Sequence, residues 1–288
     1  MKALIFGAGG QVGRALAATA PADAQLVALD RSSCDVTDLE AVTRAIRDAA
    51  PDLVFNAAAY TAVDRAESEP EAAARLNGAA PGFMAGASKA AGARFVHIST
   101  DFVFNGTSGT PCRPGDPTDP QSVYGATKLQ GEQAAAAADP DALIVRTAWV
   151  YAAQGANFVQ TMLRFMGERE RLTIVSDQIG TPTFAPSLAR ALWSLAGSQA
   201  SGIHHYTDAG VASWYDFAVA IHEEATALGL LQRPVAIMPI PSVDYPTPAR
   251  RPAFSVLDKS ATWAALGGPA PHWRVNLRTC LEEIRHNG

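Results

Sequence analysis

Residues 2–13 read Lys2-Ala3-Leu4-Ile5-Phe6-Gly7-Ala8-Gly9-Gly10-Gln11-Val12-Gly13, and this stretch decides the fold. An apolar run ends at Gly7, and helical spacing follows over Gln11–Ala20. Gly7 permits the tight turn, Gly10 lets the backbone approach a pyrophosphate, and Gly13 lets the helix pack closely on the strand. The free N–H groups at the positive end of the helix then hold phosphates. The stretch predicts a dinucleotide-binding unit whose cofactor contacts are Gly7, Gly10, Gln11, Val12 and Gly13.

Strand and helix signals continue to alternate through the first half of the chain. The expected strands are Gln25–Leu29, Leu53–Asn56, Arg94–Ile98 and Leu143–Arg146, and the expected helices are Asp38–Ala50, Glu71–Ala91 and Val123–Ala138. Short apolar runs separated by helices indicate βαβ units with right-handed crossovers. The sequence therefore predicts an α/β fold with a doubly wound parallel sheet of the Rossmann type.

The pattern loosens after about residue 150. We expect an NAD(P)-binding domain over residues 1–150, with segments near 171–176 and 186–207 returning to its sheet. Residues 151–288 are expected to form mainly a smaller substrate-binding part. Arg233–Pro252 is rich in proline, which is compatible with a linker. Aromatic residues and arginines are interleaved with the prolines, so we favour an ordered loop.

Composition excludes several classes of protein. With 48% hydrophobic and 18% charged residues among 288, the chain is not disordered. A net charge of −5 gives no electrostatic case for nucleic acid or an anionic membrane. We expect neither a signal peptide nor a membrane span, since no apolar stretch approaches the roughly 20 residues needed. Three widely spaced cysteines fit a reducing compartment, so a cytoplasmic location is predicted.

The end of the second strand carries signals for the adenosine half of the cofactor. Asp30 is placed to accept hydrogen bonds from the ribose hydroxyls, which favours NAD. Arg31 follows at once and suits a 2′-phosphate, which favours NADP. Asp35 and Val36 are expected near the adenine ring. Because the signals conflict, the sequence predicts use of both NADPH and NADH.

A tyrosine and a lysine four residues apart begin the helix at Val123–Ala138. The spacing puts Tyr124 and Lys128 one turn apart on one face. An ammonium nearby favours the phenolate, so Lys128 is expected to lower the pKa of Tyr124 and fit it for proton transfer. Thr100 and Asp101 follow another strand at its carboxyl end, where open α/β sheets bind ligands. The combination predicts a reductase.

The chain resembles the extended short-chain dehydrogenase/reductases over nearly its whole length. The glycine loop and the Tyr124–Lys128 pair place it only in that superfamily. Three further stretches are more specific: residues 56–64 (NAAAYTAVD), 99–104 (STDFVF) and 146–151 (RTAWVY). Residues 245–252 (YPTPARRP) decide among subfamilies. On these stretches the chain is similar to the dTDP-4-dehydrorhamnose reductase family.

The resemblance implies a reaction and a set of residues. A hydride from nicotinamide C4 of NADPH or NADH reduces the C4 keto group of dTDP-4-dehydro-L-rhamnose, and Tyr124 supplies the proton, which gives dTDP-L-rhamnose. Lys128 and Thr100 complete the catalytic set. The resemblance assigns Ala57, Ala58, Ala59, Tyr60 and Thr61 to the cofactor, together with Tyr124 and Lys128. It assigns Thr100, Asp101, Val63, Trp149, Arg250 and Arg251 to the nucleotide sugar.

The chain departs from the family at its metal site. In the family a magnesium ion bridges two subunits through glutamates, where this chain has Arg14-Ala15 and Phe184-Ala185-Pro186. One carboxylate, at Glu282 or Glu283, is a poor site for a hard cation. We therefore expect no metal site, and a monomer or a homodimer without magnesium.

Two other functions stay open from the sequence. The first is another nucleotide-sugar reductase or epimerase of the same superfamily. The second is a non-catalytic, nucleotide-binding regulatory subunit.

Overall fold

A six-stranded parallel sheet is built from five strands within residues 2–147 and one strand from later in the chain. The computed structural model describes residues 1–198 and 200–287. The strands of the sheet stand in the order β10-β5-β4-β3-β1-β2. Their bounds are β1 Lys2–Phe6, β2 Gln25–Leu29, β3 Leu53–Asn56, β4 Arg94–Thr100, β5 Leu143–Thr147 and β10 Gly202–His205. The chain passes from β1 to β2 on one side and returns to β3 on the other, so a crevice forms at the carboxyl ends of β1 and β3.

Helices cover both faces of this sheet. In chain order, the α-helices of the whole structure are α1 Gln11–Ala18, α2 Leu39–Ala49, α3 Val63–Ala66, α4 Pro70–Ala73, α5 Ala80–Ala90, α6 Val123–Ala138, α7 Phe158–Glu168, α8 Ala185–Gly197, α9 Trp214–Ala227, α10 Ser260–Ala265 and α11 Trp273–Asn287. Helices α1 and α8 pack on one face, where Leu16 and Leu192 are buried. Helices α2 and α5 pack on the other, where Ile46 and Met84 are buried. The predicted doubly wound α/β fold is confirmed.

Short strands and helices form the second hydrophobic core, which lies in the C-terminal half. The strands are β6 Val150–Tyr151, β7 Arg171–Val175, β8 Ile179–Gly180, β9 Thr183–Phe184, β11 Ala212–Ser213 and β12 Ala236–Ile240. Helices α7, α9 and α11 bury Met166, Phe217 and Leu277 in this core. Among the described residues, no helix is both long enough and apolar enough to cross a membrane.

One expectation about the sheet is wrong. The strand at Arg171–Val175 does not return to the main sheet but pairs in parallel with Ala236–Ile240. The prediction missed Ala236–Ile240 because Pro239 stands inside it. Proline is tolerated in the edge strand of so small a sheet. In the later of the two expected returning segments, α8 packs on α1 and β10 lies beside β5.

A buried ion pair joins α6 to the sheet. The guanidinium of Arg146 on β5 donates to the two carboxylate oxygens of Glu132 on α6, at 2.9 and 2.7 Å. The side chains are only 2% and 3% exposed. Ser99 on β4 donates to the same carboxylate. Helix α6 is thus fixed against two neighbouring strands at one point.

We predict that Glu132→Gln lowers the free energy of unfolding by about 3 to 5 kcal/mol, because Arg146 is left as an uncompensated buried charge. Urea unfolding followed by circular dichroism measures the change. Glu223→Gln is the matched control: its pair with Arg274 is 54% and 44% exposed, so a loss below about 1 kcal/mol is expected. Equal losses in the two variants would contradict the interpretation.

Candidate active site

The glycine loop lies at the crevice of the sheet, where the backbones of β1, α1 and the loop after β3 approach one another closely. Gly7 has a φ of +79°, and a Cβ there would lie 2.5 Å from the backbone nitrogen of Ala58. A Cβ on Gly13 would lie 2.2 Å from the carbonyl oxygen of Gly7. Any larger residue at either position would therefore separate β1 from α1 or from the loop after β3. Helix α1 begins at Gln11, so its first N–H groups open beside this loop.

A cleft of about 930 Å³ extends from the glycine loop along the ends of β1, β2 and β3. Its size is that of a site for a large ligand. Eleven of the predicted cofactor residues line it: Gly7, Gly10, Asp30, Arg31, Asp35, Val36, Ala57, Ala58, Ala59, Tyr60 and Thr61. Arg75, which no sequence motif indicated, also lines the cleft.

Charged side chains gather at the β2 end of the cleft. Oδ1 of Asp30 accepts hydrogen bonds from the backbone and hydroxyl groups of Ser32 and Ser33 at 2.6–3.0 Å. These bonds lower the pKa of Asp30 to about 2, so the carboxylate is charged at neutral pH. The pKa of Asp35 is lowered chiefly by hydrogen bonds from Thr37, and further by the charges of Arg31 and Arg75. Arg31 and Arg75 therefore both lie near Asp35 at this end of the cleft.

An unusual helical turn fixes the wall of the cleft. Residues Ala74–Ala79 form a π-helix, a rare conformation that is frequent at functional sites. Within it the buried amide of Asn77 accepts from the Tyr60 backbone nitrogen at 2.8 Å and donates to the Tyr60 carbonyl oxygen at 3.1 Å. The same amide nitrogen lies 3.3 Å from the hydroxyl of Thr127. Asn77 thus ties the loop after β3 to α6, a role that no sequence motif indicated.

Tyr124 stands in the first turn of α6, whose N-terminus is capped twice. The hydroxyl of Ser122 accepts from the Gly125 nitrogen at 3.1 Å, and Oε1 of Glu67 accepts from the Val123 nitrogen at 2.8 Å. Such caps satisfy N–H groups that a helix leaves free. The position of Tyr124 is therefore set by two elements outside its own helix.

The prediction that Lys128 lowers the pKa of Tyr124 is wrong. Burial raises the pKa of Tyr124 to about 12, and the Thr100 hydroxyl beside it acts in the opposite direction. Lys128 is 2% exposed, and its Nζ donates to the carbonyl oxygen of Ile98 at 2.6 Å. Burial lowers the pKa of Lys128 to about 8. Desolvation of the phenolate outweighs any effect of the ammonium here.

Thr100 and Asp101 lie at the carboxyl end of β4, as predicted. Oγ1 of Thr100 donates to Oδ1 of Asp101 at 3.0 Å. The carboxyl group is 2% exposed, and burial raises the pKa of Asp101 to about 6. Its other oxygen, Oδ2, is buried and has no partner among the described residues. The Ser255 hydroxyl and the Thr100 hydroxyl both act to lower the pKa of this carboxyl group, against the larger effect of burial.

Trp149 is held in a strained backbone conformation. Its φ of +48° is uncommon for a bulky residue. The indole stacks on Trp214 with ring centres 3.6 Å apart and planes 7° apart. A Cβ on Gly180 would lie 2.7 Å from the Trp149 ring, so only glycine fits beneath it. Strain of this kind persists where surrounding structure enforces it, often at ligand sites.

The remaining predicted substrate residues lie around α3 and the loop that follows β12. Val63 is the first residue of α3. Arg250 is exposed, and its Nη1 donates to Oε1 of Gln121 at 3.2 Å, close to Tyr124 in the chain. Arg251 instead makes an ion pair with Asp64 at 2.8 Å. Both arginines are predicted to bind the nucleotide sugar, but their surroundings in the structure differ.

Comparisons with known proteins agree with the motifs. The family model described as RmlD substrate binding domain matches residues 1–286. A dTDP-4-dehydrorhamnose reductase of Burkholderia thailandensis is 46% identical, with 99% of each chain covered.

Two solved structures are also close. That of a dTDP-4-dehydrorhamnose reductase from Clostridium acetobutylicum is 36% identical, with a TM-score of 0.93, and covers 99% of this chain and 100% of its own. That of a dTDP-4-dehydrorhamnose reductase from Bacillus anthracis in complex with NADP is 31% identical, with a TM-score of 0.91. It covers 98% of this chain and 99% of its own. The predicted resemblance is confirmed, and the chain belongs to the RmlD substrate binding domain family.

Proposed function

We propose that this chain reduces the C4 keto group of dTDP-4-dehydro-L-rhamnose to give dTDP-L-rhamnose, with NADPH or NADH as the reductant. The observation that carries the proposal is the placement of three groups around the carboxyl end of β4: the Thr100 hydroxyl lies beside Tyr124, and Lys128 donates to Ile98 of the same strand. Relatives that match over nearly the whole chain bear the name of this reductase, which supports it over an epimerase or a non-catalytic subunit.

The cleft fits a dinucleotide. The helix N-terminus at Gln11 and the side-chain-free Gly7 suit a pyrophosphate. Asp30 is charged and suits ribose hydroxyls, whereas Arg31 and Arg75 suit a 2′-phosphate. This mixed donor set supports the use of both cofactors. When bound, the reduced nicotinamide supplies a hydride to C4 of the sugar.

The state of Tyr124 suits a reduction. A phenol with a pKa of about 12 keeps its proton at neutral pH and gives it to O4 of the sugar as the carbonyl becomes an alcohol. The ammonium of Lys128, with a pKa of about 8, is mostly charged at pH 7, and we assign it to holding the cofactor. Thr100 hydrogen-bonds the same oxygen.

The residues assigned to the substrate are of types that suit a nucleotide sugar. The flat indole of Trp149 and the side chain of Val63 are assigned to apolar contacts with the pyranose ring. We assign Asp101 to a sugar hydroxyl, because it follows Thr100 at the carboxyl end of β4, where open α/β sheets bind ligands. The exposed guanidinium of Arg250 suits the diphosphate, because its planar N–H groups match phosphate oxygens.

A cytoplasmic location and a metal-independent monomer or homodimer belong to the same proposal. Cys34, Cys112 and Cys280 are free and buried, which fits a reducing compartment. In the part of the chain that the structure describes, no group of three or more His, Cys, Asp or Glu side chains could hold a metal ion.

Tyr124→Phe tests the reaction directly. We expect kcat to fall by about 10²- to 10⁴-fold, because the proton donor is lost while the fold is kept. Oxidation of NADPH in the presence of dTDP-4-dehydro-L-rhamnose is followed by absorbance. Tyr215→Phe, on α9, is the control and should keep wild-type activity. A Tyr124→Phe variant with near wild-type kcat would refute the role of this phenol.

Arg250→Ala tests the diphosphate site. We expect KM for the nucleotide sugar to rise about tenfold or more, since a charge-assisted hydrogen bond is lost, while the Kd of NADPH stays within about twofold. Arg233→Ala is the control: this exposed arginine in the same proline-rich stretch donates to the Gly167 carbonyl oxygen at 2.7 Å. Equal weakening of both ligands by Arg250→Ala, or of neither, would contradict the assignment.

A further inference from the structure

We propose that Asp64 and Arg251 are positioning residues, which together hold Arg250 in place for the diphosphate of the nucleotide sugar. The inference rests on the proposed function. It adds how the contact between Arg250 and the diphosphate is held in position. It also gives Arg251 a task different from that of its neighbour.

One carboxylate anchors the chain on both sides of Arg250. Oδ1 and Oδ2 of Asp64 accept hydrogen bonds from Nη1 and Nη2 of Arg251 at 3.0 and 2.8 Å. Oδ1 of Asp64 also accepts from the backbone nitrogen of Ala249 at 3.2 Å. The two-pronged arginine–carboxylate contact has a defined geometry as well as strength. With positions 249 and 251 both fixed, the backbone of the residue between them has little freedom.

The anchor is itself joined to the catalytic helix. Asp64 lies on α3, a helix of only four residues, Val63–Ala66. Glu67, the next residue after that helix, caps the first turn of α6 through the Val123 nitrogen at 2.8 Å. A single short segment therefore fixes both the loop that carries Arg250 and the turn that carries Tyr124. The diphosphate contact and the proton donor are held at a set separation by these two carboxylates.

The chain beyond Arg251 is also fixed. Gly106 has a φ of +77°, and a Cβ there would lie 2.4 Å from Cβ of Pro252. The Phe254 nitrogen donates to the carbonyl oxygen of Gly106 at 3.1 Å, and the Ser255 nitrogen donates to that of Ile179 at 2.8 Å. The loop is thus docked on both sides of the Arg250 position, and Asp64 supplies the contact on the α3 side.

The same contact joins two of the sequence stretches that carry the resemblance. Residues 56–64 end in Asp64, and residues 245–252 contain Arg251. Though 187 positions apart in the chain, the two side chains meet at 2.8 Å. Asp64 is 40% exposed and Arg251 is 26% exposed, so the pair adds little to overall stability. Variants of either residue should therefore fold, and their effect should fall on binding.

The test measures the binding of dTDP by calorimetry in the presence of NADPH, together with kcat and KM for the nucleotide sugar. We expect Asp64→Asn and Arg251→Gln each to weaken dTDP binding and raise KM about five- to tenfold, with kcat and the Kd of NADPH within about twofold. The double variant should be no weaker than either single variant, because both remove one contact. Arg251→Lys should recover part of the loss.

Asp48→Asn serves as the control, since it neutralises a carboxylate in the exposed pair with Arg47. Its dTDP affinity should match that of the wild type. Wild-type dTDP affinity in Asp64→Asn and Arg251→Gln would overturn the inference and leave the proposed function standing. Additive losses in the double variant would also overturn it. Failure of the wild type itself to bind dTDP or oxidise NADPH would instead refute the proposed function.

Discussion

The buried pair between Glu132 and Arg146 is the contact on which the rest of the site depends. It fastens α6 to β5, and through Ser99 to β4, in surroundings where neither charge meets water. Because α6 carries Tyr124 and Lys128 while β4 ends in Thr100, this one contact sets the distance between the three groups proposed for catalysis. Charges so deeply buried are costly unless fully paired, which makes their geometry strict.

The cofactor cleft and the proposed substrate-binding residues are both connected to helix α6. The glycine loop after β1 and the loop after β3 can approach only because Gly7 has no side chain. Asn77 then ties the second of these loops to α6, and Glu67 ties α3 to the start of α6. The bound dinucleotide and the bound sugar are thus both positioned against α6. Catalysis by placement of this kind depends on rigid supports behind the reacting groups.

The elements predicted correctly are those whose signal is local. The glycine loop has a characteristic spacing of glycines between a strand and a helix, and the helix at Val123–Ala138 has the predicted bounds. The rest depends on distant contacts. No local pattern reveals that Asn77 sits in a π-helix, or that Arg251 is paired with Asp64 while Arg250 is exposed. The pKa of Tyr124 was misjudged because burial, which the sequence does not give, outweighs a neighbouring charge.

The most direct test of the account follows the hydride and identifies the product. The wild-type protein is incubated with dTDP-4-dehydro-L-rhamnose and NADPH carrying deuterium at the transferred position of nicotinamide C4, and the sugar is examined by NMR. We predict dTDP-L-rhamnose with deuterium at C4 of the sugar. Oxidised cofactor without deuterium in the sugar, a product altered at another carbon, or no reaction despite measurable NADPH binding would contradict the account.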